Sequence, residues 1–322
     1  MNFLVDPANI FSSEKYTEGI AEIISKGHNV DKISNYDERM LQKQIINKLI
    51  RRPDIIVLGS SRIMEIGSDF FPGKNVQNCG VSHGNIHDLI AITGLLDSAG
   101  KLSKSVIINV DPGLIAQGTL EWQTLKAYHD YMIKCIEPDH KVIKENYQSN
   151  DLHKLYSLIS FDYSKKSLEF LLKGRTKKYS DVGTSRPSYG RFSDGTICYS
   201  ETVRHPDTLK VAIDARATSI KEGIQKPDKE SILLFEKLLD FFQSKKIEIL
   251  LIMLPFHPEY YQPATVNADN TFHQVEYIFT NIAKKRNIPI VGNFDARVYN
   301  LNWSDFYDMY HCNKESIKKI LK

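Results

Sequence analysis

Hydrophobic residues along the chain fall into two patterns. Continuous apolar runs, which are typical of strands covered on both faces of a parallel sheet, occur at 55–58, 105–110 and 247–254, with shorter strands predicted at 76–79 and 288–291. Between them, apolar residues at helical spacing predict helices at 87–96, 231–244 and 271–286, and a last helix from about residue 313. This alternation predicts a three-layer α/β/α, doubly wound sandwich around a central, mostly parallel, five-stranded sheet.

The alternation begins only at residue 53 and is interrupted after the third strand. Residues 1–52 carry two helical patterns and are predicted to be an N-terminal helical segment that packs on the core. Residues 53–322 are predicted to be a single domain, with 112–227 as an insertion of loops and helices at 120–136 and 152–172. Asp194-Gly195 predicts the turn of a hairpin over 190–199. An insertion on this side of the sheet would form a partial lid over the active site.

Composition and charge exclude several classes of protein. A hydrophobic content of 42% is ordinary for a soluble chain, and a net charge of +3 implies no nucleic-acid partner. Four scattered cysteines without a Cys-x-x-Cys pair argue against a zinc site or a dense disulfide framework, and leave one or two disulfides open. No apolar run approaches the roughly 18 residues of a membrane span, and the first residues do not resemble a signal peptide. We therefore expect a soluble chain without a membrane span.

Gly59-Ser60-Ser61-Arg62 follows the first predicted strand directly. Ligands of open α/β sheets bind at the carboxyl ends of strands, so chemistry is expected at this turn. The backbone N–H groups of the following helix start can hold an oxyanion, but a serine needs a base before it becomes a nucleophile. The alternative is that one of the serines simply caps a helix. The turn is neither a Gly-x-Ser-x-Gly elbow nor a phosphate-binding loop.

Asp308 and His311 lie in a loop between the last predicted strand and the final helix. At this spacing an aspartate can orient an imidazole and leave its second ring nitrogen for the serine. The alternative is that Asp308 caps a helix and His311 is exposed to solvent. Aromatic residues in the flanking loops suit either sugar rings or ordinary packing: Tyr260, Tyr261, Trp303, Phe306, Tyr307 and Tyr310.

A serine after the first strand and an Asp-x-x-His after the last together resemble the SGNH (GDSL-like) hydrolase superfamily, over about residues 53–112 and 228–322. The resemblance implies a catalytic triad of Ser61, Asp308 and His311. Asn78-Cys79-Gly80-Val81 looks like the second family block, whose glycine N–H joins the Ser61 N–H in the oxyanion hole. The Gly-Ser-Ser-Arg variant and the Asp-Pro after strand three look most like the branch of bacterial cell-envelope polysaccharide O-acetyltransferases, whose members often follow an N-terminal membrane anchor.

One position departs from the family pattern. The third block supplies an Asn side chain to the oxyanion hole, and its equivalent here is Asp111. A carboxylate cannot donate a hydrogen bond, which leaves Asn109 as a substitute, backbone donors alone, or weak or absent catalysis. We also expect Arg62 to pair with a carboxylate such as Asp111. The candidate oxyanion donors are Ser61, Gly80 and Asn109, and the candidate substrate-binding residues are Arg62, His83, Asp111 and His257.

Two functional hypotheses follow. In the first, the chain is an SGNH-type serine esterase or O-acetyltransferase, which forms an acyl-Ser61 intermediate from a small acyl ester, an acetyl group on a glycan, and needs no metal or organic cofactor. In the second, it is a catalytically weak or inactive module that binds a glycan or a partner. A nucleotide-binding protein is disfavoured, because no Gly-x-Gly-x-x-Gly follows any strand. The resemblance implies the cell envelope if an anchor precedes this chain, and the cytoplasm otherwise.

Overall fold

The computed structural model describes residues 13–138, 179–222, 224–266 and 271–321. The strands in these ranges form two sheets, and the larger has five strands in the order β3-β2-β4-β8-β9 with every neighbouring pair parallel. The predicted α/β fold with a five-stranded parallel sheet is therefore confirmed. The strands are β1 Val30–Asp31, β2 Ile55–Leu58, β3 Val76–Asn78, β4 Ser105–Asn109, β5 Ser180–Asp181, β6 Gly190–Arg191, β7 Ile197–Cys198, β8 Glu248–Met253 and β9 Ile290–Gly292.

Several helices begin where a side chain accepts hydrogen bonds from the first free backbone N–H groups. The helices in the described ranges are α1 Ser13–Ser25, α2 Glu38–Lys48, α3 Ile86–Ser98, α4 Lys126–Ile136, α5 Glu201–Arg204, α6 Thr208–Glu222, α7 Lys229–Ser244, α8 Pro258–Val266, α9 Thr271–Arg286 and α10 Lys314–Ile320. Asn85 and Asp88 form a capping box at α3, and Asp228 and Asn313 cap α7 and α10. Helices α1, α2, α3, α4, α7, α9 and α10 match the sequence prediction, whereas α5, α6 and α8 were not predicted. The helix predicted at 152–172 lies outside the described residues.

Both faces of the larger sheet are covered, which explains the continuous apolar runs of its strands. On one face, Ile56 and Ile108 belong to a core shared with side chains of α3, α7 and α9. On the other face, Val57 and Ile107 pack with side chains of α10. Successive side chains of a strand point to opposite faces, so Ile56, Val57 and Leu58 of β2 are all buried, whereas Ile55 at its start is only partly buried. Such burial contributes about 1.5–3 kcal/mol for each large side chain.

A second, smaller sheet joins the N-terminal segment to the region after β4. Its strands are antiparallel and lie in the order β5-β1-β6-β7. β6 and β7 form the hairpin predicted around Asp194-Gly195, and Gly195 has a φ of +83°, which favours glycine. Asn78 N–H donates to the Asp194 carbonyl at 2.8 Å, and Ile197 N–H donates to the Met64 carbonyl at 3.0 Å. The hairpin therefore lies against the loop that follows β2.

Parts of the region predicted as an insertion, 112–227, belong to the core of the protein and do not form a lid. Met132 and Ile133 of α4 lie in the same core as α3, and α6 packs against α8. The N-terminal helices α1 and α2 pack on each other and reach the body of the protein through an ion pair between Arg39 and Asp88, at 2.9 Å. Both side chains of this pair are buried.

The described part of the chain also answers two questions that the sequence raised. Within it, no helix has the length and apolar character that crossing a membrane requires. All four cysteines lie in the described ranges and are unpaired. The one or two disulfides that the sequence left open are therefore absent from this structure.

Candidate active site

The strand order contains a switch point between β2 and β4. The chain runs from β2 to β3 on one side, then crosses to β4 on the other side of β2. In open α/β sheets, ligands bind beyond the carboxyl ends of the strands at such a point. The turn after β2 carries Ser60 and Ser61, and the end of β4 carries Asn109 and Asp111. The fold thus brings the predicted site residues of both strands to one edge.

The two serines of this turn have different partners. Ser60 caps the 3₁₀ turn Ser61–Ile63: its hydroxyl accepts from the Arg62 N–H at 3.4 Å and donates to Asp111 Oδ2 at 2.8 Å. Ser61 Oγ instead lies 2.7 Å from Nε2 of His311. The sequence offered a cap and a candidate nucleophile as alternatives, and the structure assigns the cap to Ser60 and the hydrogen bond to the imidazole to Ser61.

Gly59 permits the close approach of this turn to β4. Its φ is +149°, in a region that disfavours residues with a Cβ, and a Cβ added here would lie 2.7 Å from Cβ of Asn109. The Gly59 carbonyl accepts from the Val81 N–H at 3.1 Å, which ties the turn after β2 to the turn after β3. Ser61 thus sits on a turn that neighbouring backbone holds on both sides.

The structure places His311 within hydrogen-bonding distance of both Ser61 and Asp308. His311 Nδ1 lies 2.9 Å from Asp308 Oδ1 and 2.8 Å from Asp308 Oδ2. A carboxylate only accepts hydrogen bonds, so Nδ1 carries the proton and Nε2 is left to accept from the Ser61 hydroxyl. A hydroxyl, a base and a group that orients the base are therefore aligned, as activation of an oxygen nucleophile requires.

Asp308 also orders the loop that carries His311. Its Oδ1 accepts from the backbone N–H groups of Tyr310 and His311, at 2.7 and 2.9 Å. Burial raises the pKa of Asp308, but the hydrogen bonds and charge of His311 together with these N–H groups outweigh burial and hold the pKa below its usual value. Neither part of the alternative holds: the cap of α10 is Asn313 and not Asp308, and the His311 side chain is only 20% exposed.

Arg62 joins the serine turn to the loop of His311. Its Nε donates to the Tyr310 carbonyl at 3.0 Å, and its Nη2 donates to the carbonyls of Leu254 and Pro255 at 2.5 and 2.9 Å. The guanidinium carbon lies 3.6 Å from the ring centroid of Phe256, a cation–π contact. One buried side chain therefore links the turn after β2, the end of β8 and the loop before α10.

This arrangement corrects the prediction for Arg62. The side chain donates to carbonyls and makes no ion pair with Asp111, and it is too deeply buried to reach a substrate. Burial lowers the pKa of Arg62, and the nearby charge of Asp111 offsets this only in part. Arg62 is therefore a positioning residue.

Two of the three predicted oxyanion donors already have acceptors. The Gly80 N–H donates to Asn78 Oδ1 at 2.9 Å, and Asn109 Nδ2 donates to Asp111 Oδ2 at 2.7 Å. Within the described residues, the Ser61 N–H donates to no protein group. The three-donor hole expected from the sequence is thus reduced here to one free donor, because side-chain acceptors two residues away occupy the other two.

Asp111 is a buried cap rather than a substrate contact. Its carboxylate accepts from the Ser60 hydroxyl at 2.8 Å, from the Asn109 amide at 2.7 Å and from the Leu114 N–H at 3.1 Å. It begins the 3₁₀ turn Pro112–Ile115 and is 5% exposed. The substrate-binding role predicted for Asp111 is therefore wrong, because its oxygens face the protein.

The two candidate histidines outside the triad do not meet the triad either. His257 is fully buried, its Nδ1 accepts from the Glu259 N–H at 3.1 Å, and burial lowers its pKa. The predicted substrate contact of His257 is therefore wrong, since the ring caps the start of α8. His83 is exposed on the turn after β3, with a φ of +52°, and makes no hydrogen bond within the described ranges.

Sequence reasoning missed Glu65 and Tyr199, which lie beside the triad. The ring centroid of Tyr199 is 6.5 Å from that of His311 and 5.4 Å from that of Tyr307, and the Tyr307 hydroxyl donates to Glu65 Oε1 at 3.3 Å. The position of Glu65, four residues after Ser61, is the one signal that could have indicated it. Other aromatic residues singled out from the sequence are instead buried in the core: Tyr260, Tyr261 and Phe306.

No protein-family model, curated protein or solved structure matches this chain. Among the described residues, no three His, Cys, Asp or Glu side chains are grouped so that they could hold a metal ion. The site itself holds a hydroxyl, an imidazole and a carboxylate in series, with one free backbone donor beside the hydroxyl.

Proposed function

We propose that this protein is a serine-dependent acyl ester hydrolase or O-acyltransferase with an SGNH-like fold, in which Ser61, His311 and Asp308 form the catalytic triad. The observation that carries the proposal is the series of hydrogen bonds from Ser61 Oγ to His311 Nε2, at 2.7 Å, and from Nδ1 to Asp308, at 2.8 Å. A hydroxyl beside an imidazole also occurs in ordinary packing, but a third group that fixes the base is what nucleophilic catalysis requires.

In the first half-reaction, Ser61 Oγ attacks the carbonyl carbon of the ester while His311 Nε2 takes the hydroxyl proton. The bond between that carbon and the leaving alcohol oxygen then breaks, and the imidazolium returns the proton to the alcohol. In the second half-reaction, water or a sugar hydroxyl attacks the carbonyl carbon of the acyl-Ser61 ester while Nε2 takes its proton. The bond between that carbon and Ser61 Oγ then breaks, and the imidazolium returns the proton to Ser61 Oγ. Asp308 stays ionised and stabilises the imidazolium in both steps.

The oxyanion that forms in each step is held first by the Ser61 N–H. The Gly80 N–H joins it only if Asn78 Oδ1 releases this donor. Loss of one oxyanion donor costs about 3–4 kcal/mol in well-studied serine enzymes. A hole that rests on Ser61 alone therefore predicts slow turnover of unactivated esters and faster turnover of aryl esters, whose leaving group needs less help.

The substrate that we assign is a small acyl group, acetyl in the first instance, on a glycan. The likeness of the Gly-Ser-Ser-Arg turn to that of cell-envelope polysaccharide O-acetyltransferases supports this assignment, as does the pair of tyrosines beside His311. Whether water or a sugar hydroxyl accepts the acyl group depends on which of them the site admits beside Nε2.

The proposal is tested by hydrolysis of 4-nitrophenyl acetate and by labelling with a fluorophosphonate, with the modified residue mapped by mass spectrometry. We expect the label on Ser61, and we expect Ser61→Ala to abolish both labelling and burst release of 4-nitrophenol. Ser60→Ala is the matched control, because the neighbouring hydroxyl binds Asp111 and not His311. A label that stays in Ser61→Ala and is lost in Ser60→Ala would refute the assignment.

A second candidate function is an SGNH-shaped module that binds a glycan or a partner without turnover. The observation that favours it is the occupation of two oxyanion donors by Asn78 and Asp111. A wild-type protein that neither hydrolyses the aryl ester nor reacts with the fluorophosphonate would favour this module over the enzyme.

A further inference from the structure

Three partly exposed side chains from separate segments meet beside His311. Tyr199 follows β7, Tyr307 lies in the loop before α10, and Glu65 lies in the loop after Ser61. The ring of Tyr199 is 5.4 Å from that of Tyr307, and the Tyr307 hydroxyl donates to Glu65 Oε1 at 3.3 Å. We call Tyr199, Tyr307 and Glu65 the tyrosine–glutamate wall.

The side chains of the wall are not part of the apolar core. Ile63 and Ile66, on either side of Glu65 in the chain, are fully buried, whereas Glu65 is partly exposed. Glu65 therefore turns away from the core, toward Tyr307. Burial, with the carboxylates of Glu65 and Asp308 close by, raises the pKa of Tyr199 well above its usual value, against the opposing charge of Arg191. The Tyr199 ring lies near those of both Tyr307 and His311, at 5.4 and 6.5 Å between centroids.

Glu65 has the chemistry of a group that binds hydroxyls. Its Oε1 accepts from Tyr307, while its Oε2 accepts no hydrogen bond from the described residues. Burial raises the pKa of Glu65 to about 7, although the charges of Lys314, Arg186 and Arg204 and the Tyr307 hydrogen bond act to lower it. At neutral pH the carboxyl therefore exists in both forms and can accept a hydrogen bond from a hydroxyl or donate one to it.

The position of the wall determines which part of a substrate it can reach. His311 Nε2 must exchange a proton with the alcohol oxygen of the ester, so that oxygen lies beside the imidazole during the reaction. The Tyr199 ring centroid is 6.5 Å from the imidazole centroid. The group attached to the alcohol oxygen is therefore the part that lies against the wall, while the acyl group lies on the side of the Ser61 N–H.

We infer that the tyrosine–glutamate wall is a sugar subsite, which binds the ring that carries or receives the acyl group through hydroxyl contacts to Glu65 and an aromatic contact to Tyr199. The inference rests on the proposed function and names the part of the substrate that the triad does not contact. An aromatic face covers the carbon face of a sugar ring, and a carboxyl binds its hydroxyls. The wall then favours sugar esters over simple esters of the same acid, because binding energy from the ring is used in the transition state.

The test compares two acetyl esters in the same set of variants. The substrates are mono-O-acetylated xylotriose and 4-nitrophenyl acetate, and the variants are Tyr199→Ala, Tyr199→Phe and Glu65→Gln. We expect Tyr199→Ala to lower kcat/KM for the sugar ester about tenfold more than kcat/KM for the aryl ester. Tyr199→Phe, which keeps the ring, is expected to restore the wild-type ratio, and Glu65→Gln to lower it about threefold or more.

Tyr277→Ala is the matched control, because this tyrosine of α9 is 70% exposed and has no ring contact within the described residues. Its ratio of the two kcat/KM values is expected to equal that of the wild type. Equal losses on both esters in Tyr199→Ala, or a loss that Tyr199→Phe does not restore, would overturn the sugar subsite. Thermal unfolding of each variant identifies any loss of kcat/KM that comes from misfolding. If Tyr199→Ala is misfolded, the kcat/KM ratio of Tyr199→Phe decides whether the aromatic ring binds the sugar.

A binding measurement separates this inference from the proposed function. Calorimetry with mono-O-acetylated xylotriose on the Ser61→Ala protein needs no turnover, and adding Tyr199→Ala is expected to weaken binding about tenfold. Failure of the wild type to cleave 4-nitrophenyl acetate would overturn the proposed function, whereas weakened sugar binding in the double variant would still support the subsite. Absence of sugar binding by the Ser61→Ala protein would overturn the subsite even in an active enzyme.

Discussion

Asp308→Asn reverses one hydrogen bond of the triad and preserves the others. In the structure, Asp308 Oδ1 accepts from the N–H groups of Tyr310 and His311, and Oδ2 lies 2.8 Å from His311 Nδ1. An asparagine keeps its carbonyl oxygen on the two backbone donors, so its NH₂ group takes the place of Oδ2. Because that group donates, Nδ1 must accept, and the ring proton moves to Nε2, where it faces the Ser61 hydroxyl.

The expected loss of activity follows from this change of tautomer. With its proton on Nε2, His311 can no longer accept the proton of the Ser61 hydroxyl. The same substitution in a well-studied Ser-His-Asp enzyme lowers kcat about 10⁴-fold. That factor corresponds to about 5 kcal/mol of transition-state stabilisation. The effect on folding should be small, because the backbone hydrogen bonds are kept and the Asp308 side chain is 47% exposed.

The assay is kcat for 4-nitrophenyl acetate at neutral pH, with thermal unfolding measured on the same samples. Asp295→Asn is the matched control, because Asp295 also caps a turn through a backbone N–H, that of Arg297 at 3.0 Å, but belongs to a different loop. We expect the control to keep wild-type kcat. An Asp308→Asn protein that folds and retains more than about a tenth of kcat would refute the triad interpretation.

Three further predictions concern Arg62, Asp111 and Glu65. Arg62→Met leaves buried carbonyls without donors, so we expect the free energy of unfolding, measured by urea denaturation, to fall by about 2–4 kcal/mol. Arg62→Lys should recover only part of this loss. A loss below about 1 kcal/mol would contradict the positioning role of Arg62. Asp111→Asn places the NH₂ group of the new asparagine against that of Asn109, so we expect the free energy of unfolding to fall by about 1–2 kcal/mol and kcat not to rise. A rise in kcat would instead identify position 111 as an oxyanion site. Because the pKa of Glu65 rises from 4.5 to about 7 on folding, the folded protein binds more protons between these values, and its stability should fall as the pH rises through this window, by at most about 3 kcal/mol. Glu65→Gln should remove that component of the pH dependence of Tm between pH 5 and pH 8, and an unchanged pH profile would show that the carboxyl titrates normally.

The parallel sheet could be predicted from local patterns, whereas the grouping of Ser61 with Asp308 and His311 was expected from strand-end positions together with the family resemblance. An apolar run such as Ile55–Leu58 fits only a strand that is covered on both sides. Polar residues that directly follow such strands must lie at the carboxyl edge, whatever the packing of the helices. Ser61 and His311 were therefore directed to one edge by the positions of strands and loops.

The partners of the buried polar groups could not be predicted in the same way. Whether the Gly80 N–H is free depends on the rotamer of Asn78, and whether Arg62 faces Asp111 or a set of carbonyls depends on where β8 ends. No sequence pattern records such choices, because each depends on contacts between distant segments. Tyr199 was missed for a related reason, since the βα alternation does not fix where the residues after β4 return to the sheet.

The smaller sheet has a consequence for any attempt to isolate the part of this protein that carries Ser61, Asp308 and His311. Arg191 of the hairpin is 1% exposed and pairs with Glu38 at 2.7 Å, and Asp88 at the base of α3 is fully buried and pairs with Arg39. A chain shortened to begin at residue 53 would lose both partners, and breaking a buried pair on one side costs about 3–5 kcal/mol. It would also lose β1, the strand between β5 and β6. Strand β1 and the start of α2 therefore support the hairpin that is followed by Tyr199, the residue beside the imidazole of His311.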